Sequence, residues 1–190
     1  MYNLENIIIY LIGFRGTGKY TIAKELQSLI NAKLVDNHTI NNPIFMLHNV
    51  SEGISEEVWS DISKIRNIVL RHIQNYTSED DCFIFTNELF AEEQEDIDLY
   101  NEILALASAR KADFFPVILH CDEEQILKRI ISEERKDKFK DTSIVNLKNL
   151  YDSYTLFTPD CSTRIEVDVT KMSAKESARN ILEHIKNYFS

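Results

Sequence analysis

The chain has 190 residues and a formal net charge of −10, with 44% hydrophobic and 27% charged residues, a composition that fits one globular domain, residues 1–190, with a sizeable core. That acidity argues against nucleic acid as a partner, since phosphate backbones are bound through clustered Lys and Arg. No apolar stretch approaches the length of a membrane span and no secretory leader pattern precedes the first apolar run, so a cytoplasmic location with no membrane partner is expected. Cys82, Cys121 and Cys161 are odd in number and widely spaced, which fits neither a disulfide framework nor a zinc ligand set; they read as reduced core or near-core thiols.

Taken in chain order, the apolar run Ile7-Ile8-Ile9-Tyr10-Leu11-Ile12 predicts a buried strand, and Ile22, Ala23, Leu26, Leu29 and Ile30 mark one face of a following helix. Between them lies Gly13-Phe14-Arg15-Gly16-Thr17-Gly18-Lys19-Tyr20-Thr21. Glycines let the backbone curl so that its N–H groups converge, and the helix start adds its positive dipole end, which together make an anion site. Lys19 stands where its ammonium reaches the β and γ oxygens of a nucleotide triphosphate, the mechanism behind the P-loop pattern. Gly13, Arg15, Gly16, Thr17, Gly18, Lys19, Tyr20 and Thr21 are therefore the predicted nucleotide-binding residues. The pattern asks for Ser or Thr directly after the Lys, to place a short hydroxyl on magnesium. Tyr20 stands there instead, with a phenol too long for that task, while Thr21, one place on, can hydrogen-bond a phosphate through its hydroxyl and backbone N–H.

Lys33 to Asp36 reads as a second strand, and Asn37 to Val50 as irregular, with Asn41-Asn42-Pro43 as the breaker. Ser55 opens a long helix through Val58, Ile62, Ile65, Val69, Ile73 and Tyr76. Cys82 to Thr86 is a strand buried on both faces, and Ile97 to Ala107 a helix. Phe114 to Cys121 is the next strand, with Pro116 tolerable only near its start. Asp122 begins a helix through Ile126, Leu127, Ile130 and Ile131. Lys128-Arg129 and the run Arg135 to Lys140 then concentrate positive charge in an otherwise acidic chain. Ile144 to Tyr154 resumes a helix, Arg164 to Val169 alternates as a half-exposed strand, and Ser173-Ala174-Lys175-Glu176 is a capping box opening the last helix.

Strands alternating with helices predict an α/β fold, a parallel sheet with helices on both faces, and ligands in such sheets bind beyond the carboxyl ends of the strands. That rule gathers the Gly13 loop, Asp36-Asn37-His38, Thr86-Asn87-Glu88 and the residues after His120 onto one rim. Phosphoryl transfer needs charge neutralised on the transferred group, a metal bridging the phosphates and an acceptor hydroxyl held in line. Arg129, Arg135 and Lys138 would supply cations from a basic lid, about residues 129–142, that closes over the phosphates. Asp36 would accept the acceptor hydroxyl's proton or hold magnesium through a water, with Thr21 and Glu88 as further metal candidates. His38 and Arg110 are candidates for contact with the substrate.

With these residues in view, the chain resembles the small P-loop kinases: shikimate kinase, gluconate kinase, adenylate kinase and related small AAA-type ATPases of unassigned substrate. The resemblance implies a P-loop NTPase fold, three-layered α/β/α with a five-stranded parallel sheet and a basic lid, that uses ATP and Mg2+ and binds its acceptor after the second strand. The Lys19-Tyr20-Thr21 step looks like the adenylate kinase version of the loop. Shikimate kinase has Asp-x-Asp at the end of the second strand and Gly-Gly at the end of the third. Here Asp36 matches the first Asp, His38 replaces the second and Thr86-Asn87 replaces the glycines, which disfavours shikimate. The expected function is an ATP-dependent phosphotransferase acting on a small hydroxylated acceptor, as a monomer or homodimer. The alternatives are a nucleoside or nucleotide kinase and a nucleotide-binding regulatory module with weak or no catalysis.

Overall fold

β1 (Ile7–Ile12) is buried at all six positions, as an apolar run without alternation must be when both faces of its strand are covered. In the computed structural model, which describes residues 4–49, 53–130 and 144–189, β1 is the middle strand of a five-stranded parallel sheet of order β2-β3-β1-β4-β5. The other strands are β2 (Lys33–Asp36), β3 (Phe83–Asn87), β4 (Asp113–His120) and β5 (Ile165–Asp168). Between and after them lie α1 (Lys19–Ile30), α2 (Asn37–Phe45), α3 (Glu56–Tyr76), α4 (Gln94–Arg110), α5 (Glu123–Ile130), α6 (Ile144–Ser153) and α7 (Ala174–Tyr188).

The pleat of β1 divides the core into two layers. Ile7, Ile9 and Leu11 pack with Ile22 and Leu26 of α1 and with Ala178, Ile181 and Ile185 of α7. Ile8, Tyr10 and Ile12 pack with Leu70 and Ile73 of α3 and with Leu99 and Ile103 of α4. The sheet is thus covered on both faces, as the alternation of elements implies. The expected capping box is present at α7, where the Glu176 N–H donates to Ser173 Oγ at 3.2 Å and the Ser173 N–H donates to Glu176 Oε2 at 2.8 Å.

Three features differ from the sequence expectations. Asn37 to Phe45 is helical, with Pro43 inside the helix. The proline removes one N–H from the helix ladder, which stops two residues later, while burial of Ile40 and Asn41 and packing of α2 on α3 and β2 outweigh the local breaker signal. Pro116 is the fourth of eight residues in β4, not at its start. Alternate residues of β4 bond to β1, beginning with the Asp113 N–H donating to the Asn6 carbonyl at 3.0 Å, so the nitrogen of Pro116 faces the other side. There β5 pairs only from Val117 onward, and the missing donor removes no ladder bond. Finally, Cys82 is buried and Cys121 half-buried, but Cys161 is exposed rather than near the core.

Candidate functional site

The nine residues from Gly13 to Thr21 turn the chain from the carboxyl end of β1 into α1. Gly16 and Gly18 have φ of +90° and +96°, a region that L side chains rarely adopt. Gly16 has a second reason to be glycine: a Cβ there would lie 2.7 Å from Ile126 Cγ2, because α5 packs directly on the loop. Gly18 is the N-cap of α1, with no side-chain cap and no acidic residue in the first turn. The first N–H groups of α1 are therefore not claimed by a capping side chain, which suits an anion. Lys19 Nζ donates to the carbonyls of Gly13 at 2.5 Å and Phe14 at 3.0 Å, so its ammonium lies back along the loop. Thr17 is buried and its hydroxyl donates to the Phe14 carbonyl at 2.8 Å.

The loop is braced from β3. The Gly13 N–H donates to the Asn87 carbonyl at 3.3 Å. One residue beyond β3, Glu88 Oε1 accepts the Arg15 N–H at 2.5 Å, and Oε2 accepts Arg15 Nε at 3.0 Å and Nη2 at 2.8 Å. Arg15 and Glu88, placed by the sequence in the nucleotide and metal sets, thus meet as an ion pair in which both carboxylate oxygens are engaged.

Asp36 lies opposite Thr86 in the β2–β3 register. It is buried, and its Oδ1 accepts the Thr86 hydroxyl at 2.5 Å. The Thr86 oxygen in turn accepts the Asn37 N–H at 3.4 Å. With β3 between β2 and β1, this carboxylate stands about two strand spacings, roughly 10 Å, from the start of the Gly13 loop. His38 is half-buried in the first turn of α2, Tyr20 half-buried and Thr21 exposed in the first turn of α1. Arg129, near the end of α5, reaches the loop: Nη1 donates to the Thr17 carbonyl at 3.0 Å and Nη2 to the Val169 carbonyl at 3.2 Å. Cys121 Sγ lies 3.6 Å from the same guanidinium; burial pushes its thiol up, partly opposed by Arg129. Arg135 and the lid beyond Ile130 lie outside the described residues.

Arg110 is not part of this rim. Its guanidinium donates to the carbonyls of Ile73 at 2.8 Å and Ser78 at 2.6 Å and to the Thr77 hydroxyl at 2.8 Å, closing the carboxyl end of α3. In a parallel βα unit the helix returns the chain to the amino edge of the sheet, so a residue in the last turn of α4 cannot face a ligand at the carboxyl edge. Among the described residues no group of three or more His, Cys, Asp or Glu is placed to hold a metal ion. The loop backbone and Lys19 suit a nucleotide's phosphates; a metal would have to be held largely by those phosphates and by water.

A group that sequence reasoning missed packs against the loop from the other side. The Phe14 ring stacks on Tyr151 of α6 at 4.1 Å and 27° and packs on Phe90 at 5.8 Å, which in turn meets Tyr154 at 4.9 Å. Burial pushes the Tyr151 phenol well above its ordinary range, and its hydroxyl has no hydrogen-bond partner among the described residues. The segment after β3 is also stitched to the segment after α6. The Ala91 N–H donates to the Thr155 carbonyl and the Phe157 N–H to the Leu89 carbonyl, both at 2.9 Å. The Phe90 N–H donates to Asp96 Oδ2 at 2.8 Å, and burial pushes the Asp96 carboxyl up to about 6, partly opposed by that bond. The only sequence signals were an aromatic residue inside a loop of small residues and two tyrosines at helical spacing, and neither names its partner.

A parallel five-stranded sheet with a glycine-rich loop between its central strand and an uncapped helix is a P-loop NTPase fold of the α/β/α type. No protein-family model matches the chain, and no curated protein matches it in sequence. Solved structures share its fold. A gluconokinase from Sinorhizobium meliloti 1021 is similar with a TM-score of 0.64 at 15% identity, over 98% of this chain and 95% of that one. The Mycobacterium tuberculosis APS kinase, in complex with AMPPNP and APS, gives 0.58 at 13% identity, over 96% and 99% of the two chains. A shikimate kinase from Acinetobacter baumannii, in complex with shikimate, gives 0.55 at 17% identity, over 97% and 94%. Among the described residues no helix is long and apolar enough to cross a membrane.

Proposed function

We propose that the chain is an ATP-dependent phosphotransferase acting on a small hydroxylated acceptor, working in the cytoplasm as a single P-loop kinase domain, monomeric or homodimeric. The observation that carries the reading is the pairing, on one rim, of an uncapped helix start behind two positive-φ glycines with a buried, hydrogen-bonded carboxylate two strands away. The similarity in fold to a gluconokinase, a shikimate kinase and an APS kinase supports it.

Magnesium-bound ATP, when present, supplies the transferred phosphoryl group and part of the charge neutralisation. The backbone N–H groups of Gly16 and of Gly18 to Thr21 bind phosphate oxygens, that of Thr17 being held by the Phe14 carbonyl, and Lys19, exchanging the carbonyls of Gly13 and Phe14 for the phosphate oxygens, neutralises their charge. Asp36 orients the acceptor and takes the proton of its hydroxyl, while Thr86 fixes Oδ1 and leaves Oδ2 for that proton. Arg129 and Arg135 stabilise charge on the transferred group from the lid side. Thr21 and Asp36 are the side chains assigned to the metal's water shell. His38 borders the acceptor.

The test is transfer of the γ-phosphoryl group from ATP to a panel of sugars, polyols, hydroxy acids, nucleosides and nucleotides, with and without magnesium. Phosphorylated product that disappears in Lys19→Ala and Asp36→Asn establishes the reading; a nucleoside or nucleotide product narrows it to that alternative. A second reading, a nucleotide-binding module without transfer, is favoured by Tyr20 at the position that asks for a hydroxyl. ATP binding without product, with transfer restored in Tyr20→Ser, would establish that one instead.

A further inference from the structure

Phe14 is the pivot of the Gly13 loop. Its carbonyl accepts the Thr17 N–H at 3.2 Å, the Thr17 hydroxyl at 2.8 Å and Lys19 Nζ at 3.0 Å. The orientation of one peptide group thus sets both the turn at Thr17 and the place from which the Lys19 ammonium starts. Gly16 and Gly18, at φ of +90° and +96°, give the loop little stiffness of its own, so that orientation is imposed through the side chains that leave the loop.

The Phe14 ring is held from two sides. Tyr151 of α6 lies against its face, with 4.1 Å between centroids and 27° between planes, and Phe90 meets it at 5.8 Å and 44°. Phe90 belongs to the segment after β3, and Tyr151 stands just before the segment that is bonded to it through Ala91 and Thr155 and through Phe157 and Leu89. Phe14 and Tyr151 also pack on Ile126 and Ile130 of α5, the buried pair beneath Gly16. The cradle of Phe14 is therefore fixed to the body of the protein. The Tyr151 hydroxyl takes no part in it, being buried without a hydrogen-bond partner among the described residues. The flat ring carries the contact, and burial keeps the phenol protonated, so it brings no charge toward a phosphate.

We propose that Tyr151 is a positioning residue of the nucleotide site: acting through Phe14, its ring face holds the loop in the shape that accepts phosphate. The inference rests on the reading of the Gly13 loop as a nucleotide site, and it makes nucleotide affinity depend on α6, a helix more than a hundred residues further along the chain.

The experiment is a calorimetric titration of the full chain and its variants with magnesium-ATP, each well below its own unfolding temperature. Tyr151→Leu keeps apolar bulk at the site but removes the flat face, and it is expected to bind ATP about fivefold more weakly, the size of one ring pair. Phe14→Leu removes the partner ring and is expected to weaken binding to a similar extent, which tests the stack from its other side. Tyr151→Phe keeps the ring and is expected to bind within about twofold of the natural chain, as is Phe14→Leu/Tyr151→Leu relative to Phe14→Leu, because the ring through which Tyr151 acts is already gone. A residue serving stability alone would lower the unfolding temperature and leave the affinity of the folded protein unchanged. Natural affinity in Tyr151→Leu or in Phe14→Leu overturns the inference. So does a loss in Tyr151→Phe equal to that in Tyr151→Leu, or a full further loss when Tyr151→Leu is added to Phe14→Leu. ATP binding that is absent from the natural chain, or unchanged in Lys19→Ala, overturns the nucleotide reading and this inference with it. Binding that needs Lys19 and is indifferent to Tyr151→Leu overturns this inference alone.

Discussion

Gly16→Ala and Gly18→Ala add the same methyl group to the same loop, yet their effects on stability should differ. Both positions have φ near +90°, and an L side chain there costs about 1–2 kcal/mol. At Gly18 that is nearly the whole effect, since the nearest atoms to a new Cβ are Arg129 Nη1 at 3.8 Å and Ile22 Cδ1 at 4.0 Å. At Gly16 the Cβ falls 2.7 Å from Ile126 Cγ2 and 3.1 Å from Ile130 Cγ1. Both isoleucines are fully buried and cannot swing aside, which adds about 1–3 kcal/mol of overpacking. Urea unfolding should therefore give a loss of about 1–2 kcal/mol for Gly18→Ala and about 2–5 kcal/mol for Gly16→Ala, out of a total typically near 5–15 kcal/mol. Ile126→Ala opens the space that the new methyl needs, so Gly16→Ala/Ile126→Ala should be less destabilised than the sum of its parts by about 1 kcal/mol or more. Equal losses at the two glycines, or strict additivity in the double variant, would refute the clash with α5.

Three other outcomes are expected. Asp96 has its folded pKa raised from 3.8 to about 6 by burial, so the folded state holds the proton more tightly than the unfolded one and stability is lost as pH rises from about 4 through 6. The shift corresponds to about 3 kcal/mol, trimmed to about 1–2 kcal/mol by solvent at this half-buried site. Asp96→Asn should thus unfold at higher urea than the natural chain at pH 7.5 and match it near pH 4, a difference that paired denaturation curves measure. Glu88→Gln keeps an acceptor for the Arg15 N–H but loses the ion pair. Stability should fall by at most about 1 kcal/mol for this partly exposed pair, and calorimetry should show ATP binding weakened several-fold with an unchanged magnesium midpoint; a shifted midpoint would make Glu88 a metal group rather than a brace. Thr86→Val deprives the buried Asp36 of a donor, and a loss of about 1.5–3 kcal/mol in urea unfolding at neutral pH is expected.

The parts of the molecule legible in the sequence are those encoded over short distances. The run Ile7 to Ile12, the spacing from Gly13 to Lys19 and the Ser173–Glu176 box each carry their own structural instruction, and strand alternation then puts Asp36, Thr86 and Glu88 on the rim. What was not legible depended on distant partners. The ion pair of Arg15 with Glu88 and the stack of Phe14 on Tyr151 join residues far apart in the chain, and nothing near either partner specifies the other. Arg110 was misplaced because a cation near a helix end is compatible with either edge of a sheet until the helix direction is applied. Helix α2 was missed because Pro43 is a strong local signal, whereas the burial of Ile40 and Asn41 that overrides it is tertiary.

The stitches between the segments after β3 and after α6 have a consequence for engineering. Ile130, the last residue of α5, packs with Ile126 beneath Gly16, and the segment after α6 is fastened at Thr155 and Phe157 to Ala91 and Leu89. Each flank is held on the body of the protein by contacts of its own, so substitutions confined to positions 131–143 remove neither anchorage.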